Sequence, residues 1–152
     1  MTGKLRILIV VVPVIALLLA VVLVPHSAMA SAPAQFPTGT YITTITEADL
    51  PPGLPPGVIA VLTGQWQIEF TGAGSDIVTK EGDLMVLGRY TANPARLVMT
   101  DLEGPLACVD PGTATGVYQW ALENNELTLT AVHDACGGRH IVLTARPWQK
   151  QP

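Results

Sequence analysis

The stretch Gly116–Trp148, GVYQWALENNELTLTAVHDACGGRHIVLTARPW, decides the fold. In Val117-Tyr118-Gln119-Trp120-Ala121-Leu122 the alternation puts Tyr118, Trp120 and Leu122 on one side of a strand. Asn124-Asn125 then interrupts. Asparagine tolerates positive φ, so two in succession between strands favour a two-residue hairpin turn. Leu127-Thr128-Leu129-Thr130-Ala131 alternates again, the period of a half-buried strand. Cys136-Gly137-Gly138 predicts a further turn, and Ile141-Val142-Leu143-Thr144-Ala145 a third strand. The C-terminal third reads as a β-meander, so the rest of the chain has to supply the strands that close it.

Upstream, Thr38–Thr46 is rich in β-branched residues and reads as the first strand. Thr46-Glu47-Ala48-Asp49-Leu50 offers a capping Thr followed by two acids, the signal for one short helical turn, which Pro51 and Pro52 stop. Pro51–Gly57 has Pro at four of seven positions, cannot enter a sheet interior, and is predicted to be the longest loop. In Gly64–Thr71, Trp66, Ile68 and Phe70 alternate with Gln65, Gln67 and Glu69. Asp76–Lys80, Leu84–Thr91 and Arg96–Asp101 give three more strands, and Leu102–Thr115 a loop that holds Cys108. Eight strands joined mostly by short turns predict an all-β protein, an eight-stranded antiparallel up-and-down barrel with one short helical turn after the first strand. A two-sheet sandwich is the other arrangement this count allows.

The first 30 of the 152 residues have the pattern of an export signal. Lys4 and Arg6 precede an uncharged apolar run over residues 7–24, and Ala28-Met29-Ala30 fits a cleavage site before Ser31. The same run is long enough to serve instead as a membrane anchor. Either outcome places the remainder outside the cytoplasm, secreted or anchored. Residues 31–37 read as a flexible leader, 38–149 as the barrel and 150–152 as a tail. Beyond residue 30 the chain carries six basic and twelve acidic residues, a formal charge of −6. That balance argues against nucleic acid and anionic membrane surfaces as partners, since both demand basic patches. A membrane enters this reading only through an uncleaved N-terminal segment, and the barrel is expected to be a monomer.

An even pair of cysteines, Cys108 and Cys136, in an exported chain predicts one disulfide. In an up-and-down barrel the loops after strands five and seven lie at one end, so the two can meet. Trp66, Phe70, Tyr90, Tyr118 and Trp120 are the candidate interior residues, either packing the barrel or lining a cup for an apolar ligand. Asp134 and Arg139 are predicted to pair across the Cys136 turn. Arg146 and Trp148, near the chain end, are expected to meet Tyr41 near its start, with Arg146 stacked on an aromatic ring. Glu47, Asp49, Asp101, Glu103 and Asp110 gather by sequence near the mouth loops and read as solvated acids, with a weak cation site as the minor alternative, which no EF-hand spacing supports. His133, Asp134 and His140 flank Cys136 without a third firm metal ligand or a recognised metal spacing. No serine sits in a nucleophile elbow and no phosphate-binding glycine loop is present. The sequence therefore nominates no catalytic residue, metal or cofactor.

Several short segments in order resemble one family. They are Gly39-Thr40-Tyr41, Gly64-Gln65-Trp66-x-Ile68, Gly88-Arg89-Tyr90, Gly104 with Cys108, Gly116-Val117-Tyr118-x-Trp120, Leu127-x-Leu129, Asp134-x-Cys136 with Arg139, and Arg146-Pro147-Trp148. Together, over Thr38–Trp148, they resemble bacterial exported lipocalin-like (calycin-type) domains, with Gly39-x-Tyr41 where lipocalins carry Gly-x-Trp. The resemblance implies an eight-stranded barrel with one open end that binds a small, mostly apolar ligand. A module acting on a protein or envelope partner through its rim loops, around a packed interior, is the alternative.

Overall fold

Alternation of apolar and polar side chains builds the wall of this protein, seen in a computed structural model that describes residues 35–152. The signal or anchor over residues 1–30, and residues 31–34 of the leader, lie outside the described residues. The strands are β1 (Gly39–Ile45), β2 (Gly64–Phe70), β3 (Ser75–Lys80), β4 (Asp83–Asn93), β5 (Arg96–Glu103), β6 (Thr115–Glu123) and β7 (Glu126–Asp134). Each runs antiparallel to the next in chain order. A three-residue β8 (Trp148–Lys150) closes the ring by pairing with both β7 and β1. The fold is an eight-stranded antiparallel up-and-down closed barrel, closed through β8 by two paired residues on each side. Asn124 and Asn125 take φ of 50° and 65°, the left-handed pair a tight β6–β7 hairpin requires.

The connections sort by parity. Those after β1, β3, β5 and β7 lie at one end, the mouth, and those after β2, β4 and β6 at the other. The predicted helical turn forms as a 3₁₀ turn, Glu47–Asp49. Asp49 Oδ2 accepts from the Thr46 N–H and hydroxyl at 2.8 and 2.7 Å, which closes the turn onto its cap.

Four expectations need correction. The segment expected as strand eight, Ile141–Ala145, is helical: α2 spans Gly137–Thr144. A strand would turn Val142 and Leu143 to opposite faces, yet both are buried, and together with Arg139 they keep the i, i+3, i+4 spacing of a helix face. A short continuous apolar run fits either element by pattern alone. The Pro-rich stretch is a loop only to Pro55, because α1 spans Pro56–Leu62. Pro56 at the first helical position needs no N–H and already has a helical φ. The leader is not free at Phe36, which is 8% exposed and closes the end away from the mouth. Its ring meets Phe70, Tyr90 and Trp120 at centroid distances of 4.9, 5.4 and 5.2 Å. Lys150 and Gln151 are not tail: Lys150 ends β8, and the Gln151 N–H donates to Thr40 O at 2.8 Å.

Candidate functional site

The mouth carries both helices. Helix α1 is tied to the wall at its C-terminus, where the last carbonyls lack helical partners. The Trp66 indole N–H donates to Leu62 O at 2.8 Å, and Lys80 Nζ donates to Ala60 O and Val61 O, both at 2.9 Å. Helix α2 is tied at its N-terminus by the Cys108–Cys136 disulfide, which joins it to the β5–β6 loop. Between the helices and the wall lies a cavity of about 470 Å³. Val58 and Val61 of α1, Val142 and Leu143 of α2, and Trp66 and Val78 of the wall contribute to its lining, as does the disulfide. Among the described residues Arg139 is the one charged side chain that borders it.

Arg139 is spent on a buried cluster. Its Nε–H donates to Asp134 Oδ2 at 2.9 Å and Nη2 to Asp134 Oδ1 at 2.7 Å, a bidentate pair. Nη1 meets Asp101 Oδ1 at 2.9 Å, and the two remaining N–H groups donate to Ala114 O and Thr113 O, each at 2.8 Å. All five guanidinium donors are thus matched. The carboxylates in turn hold the disulfide's backbone. The Cys108 N–H donates to Asp101 Oδ2 and the Cys136 N–H to Asp134 Oδ1, both at 2.8 Å. The Tyr118 hydroxyl donates to Asp134 Oδ2. Burial alone would raise the Asp134 pKa; the Arg139 and Tyr118 hydrogen bonds and the Cys136 N–H outweigh it and hold the group below the ordinary carboxylate range. Burial pushes the Tyr118 phenol up, and its bond to Asp134 adds to that. Burial works against the Arg139 charge, but Asp134 and Asp101 raise its pKa overall.

A third carboxylate lies deeper. Strand pairing sets Asp76 opposite Gly88, Gly88 opposite Asp101, and Gly116 opposite Asp134. The glycines make room: a Cβ on Gly88 would sit 2.6 Å from Asp76 Oδ2, and one on Gly116 2.7 Å from Asp134 Oδ2. Asp76 is 1% exposed, and among the described residues its Oδ1 has no hydrogen-bond partner. Burial, followed by repulsion from Asp101, raises its pKa to about 7 against a smaller opposing effect of Arg139. It shares the inward face of β3 with Val78, two residues nearer the closed end, between the cavity and the aromatic cluster.

The five aromatic candidates do not form one cup. Trp66 borders the cavity; Phe70, Tyr90 and Trp120 pack on Phe36 at the far end, and Tyr118 belongs to the charged cluster. Tyr41 is fully buried and donates to Pro37 O at 3.0 Å. Arg146 does not stack on a ring: it is half exposed and faces Asp49 at 3.6 Å, while Lys150 lies 6.0 Å over Tyr41. Trp148 is fully buried, its indole N–H on Leu143 O at 3.2 Å. Asp101 is no solvated acid but half of an ion pair. His133 and His140 are both exposed, His140 within α2 rather than opening a strand. Asp101 and the two cysteine sulfurs lie within 4.8 Å of one another, yet disulfide sulfurs offer no thiolate and the carboxylate is committed. Sequence reasoning missed Asp76. Its one signal was an acid at an inward position of a strand, two residues before Val78.

No protein-family model, curated protein or solved structure matches this chain. The eight-stranded closed barrel is compatible with a lipocalin-like fold. The largely buried disulfide suggests an oxidising, extracytoplasmic environment. Among the described residues no helix is long and apolar enough to cross a membrane.

Proposed function

We propose that this chain is a non-enzymatic, exported, monomeric lipocalin-like barrel that takes a small, mostly apolar molecule into the cavity at its mouth. The observation that carries this is the cavity itself: about 470 Å³, within the usual size of a small-molecule site, and lined mostly by aliphatic side chains, with one indole, a disulfide and the Arg139 side chain. The domain is either released after residue 30 or held at the membrane by residues 7–24. Native mass spectrometry of protein purified from its host tests the reading. A retained small apolar molecule, lost on changing Val142 to Trp, is the expected result. Empty protein that also fails to bind an environment-sensitive apolar dye would overturn it.

A second reading has its own observation. Val109 in the β5–β6 loop is 59% exposed, and Val61 and Leu106 are also exposed at the same end. These would serve an interaction module whose partner docks on the mouth loops. Site-specific photo-crosslinking from position 109 in the host distinguishes the two: one discrete adduct together with an empty cavity favours the module.

A further inference from the structure

We propose that the mouth seats on a zwitterionic phospholipid surface, with helix α1 lying in its outer apolar layer. This goes beyond the cavity reading and does not depend on it.

Leu50–Leu62, LPPGLPPGVIAVL, runs for 13 residues without one polar side chain. A helix that is apolar all round is normally a core helix. Yet in α1 only Leu62 is buried. Val58 and Val61 are 39% and 42% exposed, and Pro56, Gly57 and Ala60 are exposed with them. Leu84 at the start of β4 and Leu106 and Val109 in the β5–β6 loop add exposed apolar side chains at the same end. Apolar surface gathered in this way marks an interaction face.

Backbone bonding distinguishes lipid from protein as the cover. A protein partner offers hydrogen bonds to the surface it meets. Hydrocarbon offers none, so a segment that enters it has to satisfy its own polar groups. The last four carbonyls of a helix are ordinarily orphaned, and in α1 each has a donor from beyond the helix. Ile59 O accepts from the Thr63 N–H and hydroxyl, both at 2.9 Å. Ala60 O and Val61 O accept from Lys80 Nζ, and Leu62 O from the Trp66 indole. At the other end Pro56 has no N–H to satisfy, and the Val58 and Ile59 N–H groups donate to Pro55 O at 2.9 and 3.0 Å. Pro51, Pro52 and Pro55 likewise bring no donor.

Charge selects the kind of lipid. Glu47, Glu81, Asp83, Glu103 and Asp110 are exposed around the mouth. Its Lys and Arg side chains are held: Lys80 on the α1 carbonyls, Arg139 in the buried cluster, Arg146 toward Asp49. Anionic headgroups are repelled by such a rim, whereas choline and ethanolamine heads present a cation to it. At seven residues α1 is too short to cross a bilayer, so it lies in the interface. Val58 and Val61 also line the cavity, so the lipid-facing surface and the cavity wall share side chains.

The full-length chain, carrying a nitrobenzoxadiazole label on Ala60→Cys in α1 or on Ala92→Cys at the opposite end of the barrel, tests the proposal. The probe surface is phosphatidylcholine vesicles brominated in their acyl chains. The label at position 60 should shift to the blue and lose most of its emission, while the label at position 92 stays as in water. That contrast separates seating of the mouth from any hold exerted by residues 7–24. Val58→Ser with Val61→Ser should restore the emission at position 60, and adding phosphatidylglycerol should weaken the quenching. Hydrogen exchange of the unmodified chain reads the same contact without a label: the Leu54 and Gly57 amides should slow when vesicles are added, and that of Ala95 should not. Equal quenching at both positions, quenching at neither, or stronger quenching with phosphatidylglycerol overturns the proposal. So does a discrete protein adduct from a photo-crosslinker at position 60 in the host in place of quenching, which would give the face to a protein partner. None of these outcomes touches the cavity reading, which retention of a small molecule decides.

Discussion

Changing Asp76 to Asn should remove the fall in stability that the parent shows between pH 4 and 8. The folded protein holds the Asp76 proton to about pH 7, whereas an unfolded chain releases it at the ordinary 3.8. The folded state therefore binds more protons between those values, and stability falls as pH rises through that window and levels off above it. A difference of about three pH units at about 1.4 kcal/mol each places the loss near 4 kcal/mol by pH 8. Asn cannot ionise, so the variant escapes that loss and keeps only the penalty of an imperfectly paired buried amide, about 1–3 kcal/mol. The variant should be about 1–3 kcal/mol more stable than the parent at pH 8, and no more stable at pH 4. Asp49 and Asp134 act in the opposite direction, since their folded pKa values are lowered, and their contribution is lost only below 3.8. The windows are separate. Urea denaturation followed by tryptophan fluorescence, disulfide intact, at half-unit steps from pH 4 to 8 reads the effect. Parallel curves for the two proteins, or a parent whose stability rises from pH 4 to 7, would refute the reasoning.

Arg139→Met should destabilise the fold by about 3–5 kcal/mol in the same denaturation assay, because it strands Asp101 and Asp134 as buried charges without a cation. Replacing both Cys108 and Cys136 by Ala opens a loop of sequence separation 28, for which chain entropy gives about 3–4 kcal/mol, readable as a shift of the urea midpoint. Phe36→Ala should cost about 3–5 kcal/mol by denaturation, since three aromatic rings lose their shared partner at the closed end. Gly88→Ala sets a Cβ against both Asp76 carboxylate oxygens and should cost about 1–3 kcal/mol; adding Asp76→Ala removes the obstacle, so a double-mutant cycle should show clear non-additivity.

Much of the barrel was legible because a wall with one face buried imposes a period of two. Trp66-x-Ile68-x-Phe70 and Leu127-x-Leu129 point inward as their spacing says. The Asn124-Asn125 turn was legible because few residues tolerate its φ. The two helices were not. Pro56-Gly57-Val58 and Gly137-Gly138-Arg139 begin with residues that mark turns, and each helix is only seven or eight residues long. Such helices depend on tertiary partners rather than on propensity. For α1 those partners are Trp66 and Lys80, and for α2 the disulfide and the Arg139 pairs, none of which has a local signature.

The same cause hides the site. Asp76, Asp101, Asp134 and Arg139 come from β3, β5, β7 and α2, and only the barrel register brings them together. Strand alternation could mark Asp76 as inward facing but not as unpaired, because its want of a cation depends on where α2 sets Arg139. That placement depends on oxidation: Cys136 begins the connection into α2, and its backbone N–H rests on the carboxylate that Arg139 grips. Sulfur bridge, ion cluster and cavity wall are therefore one unit, formed when the β5–β6 loop and α2 lock together. A chain that never forms the bridge should lose the Asp101–Arg139–Asp134 arrangement along with the cavity, rather than either alone.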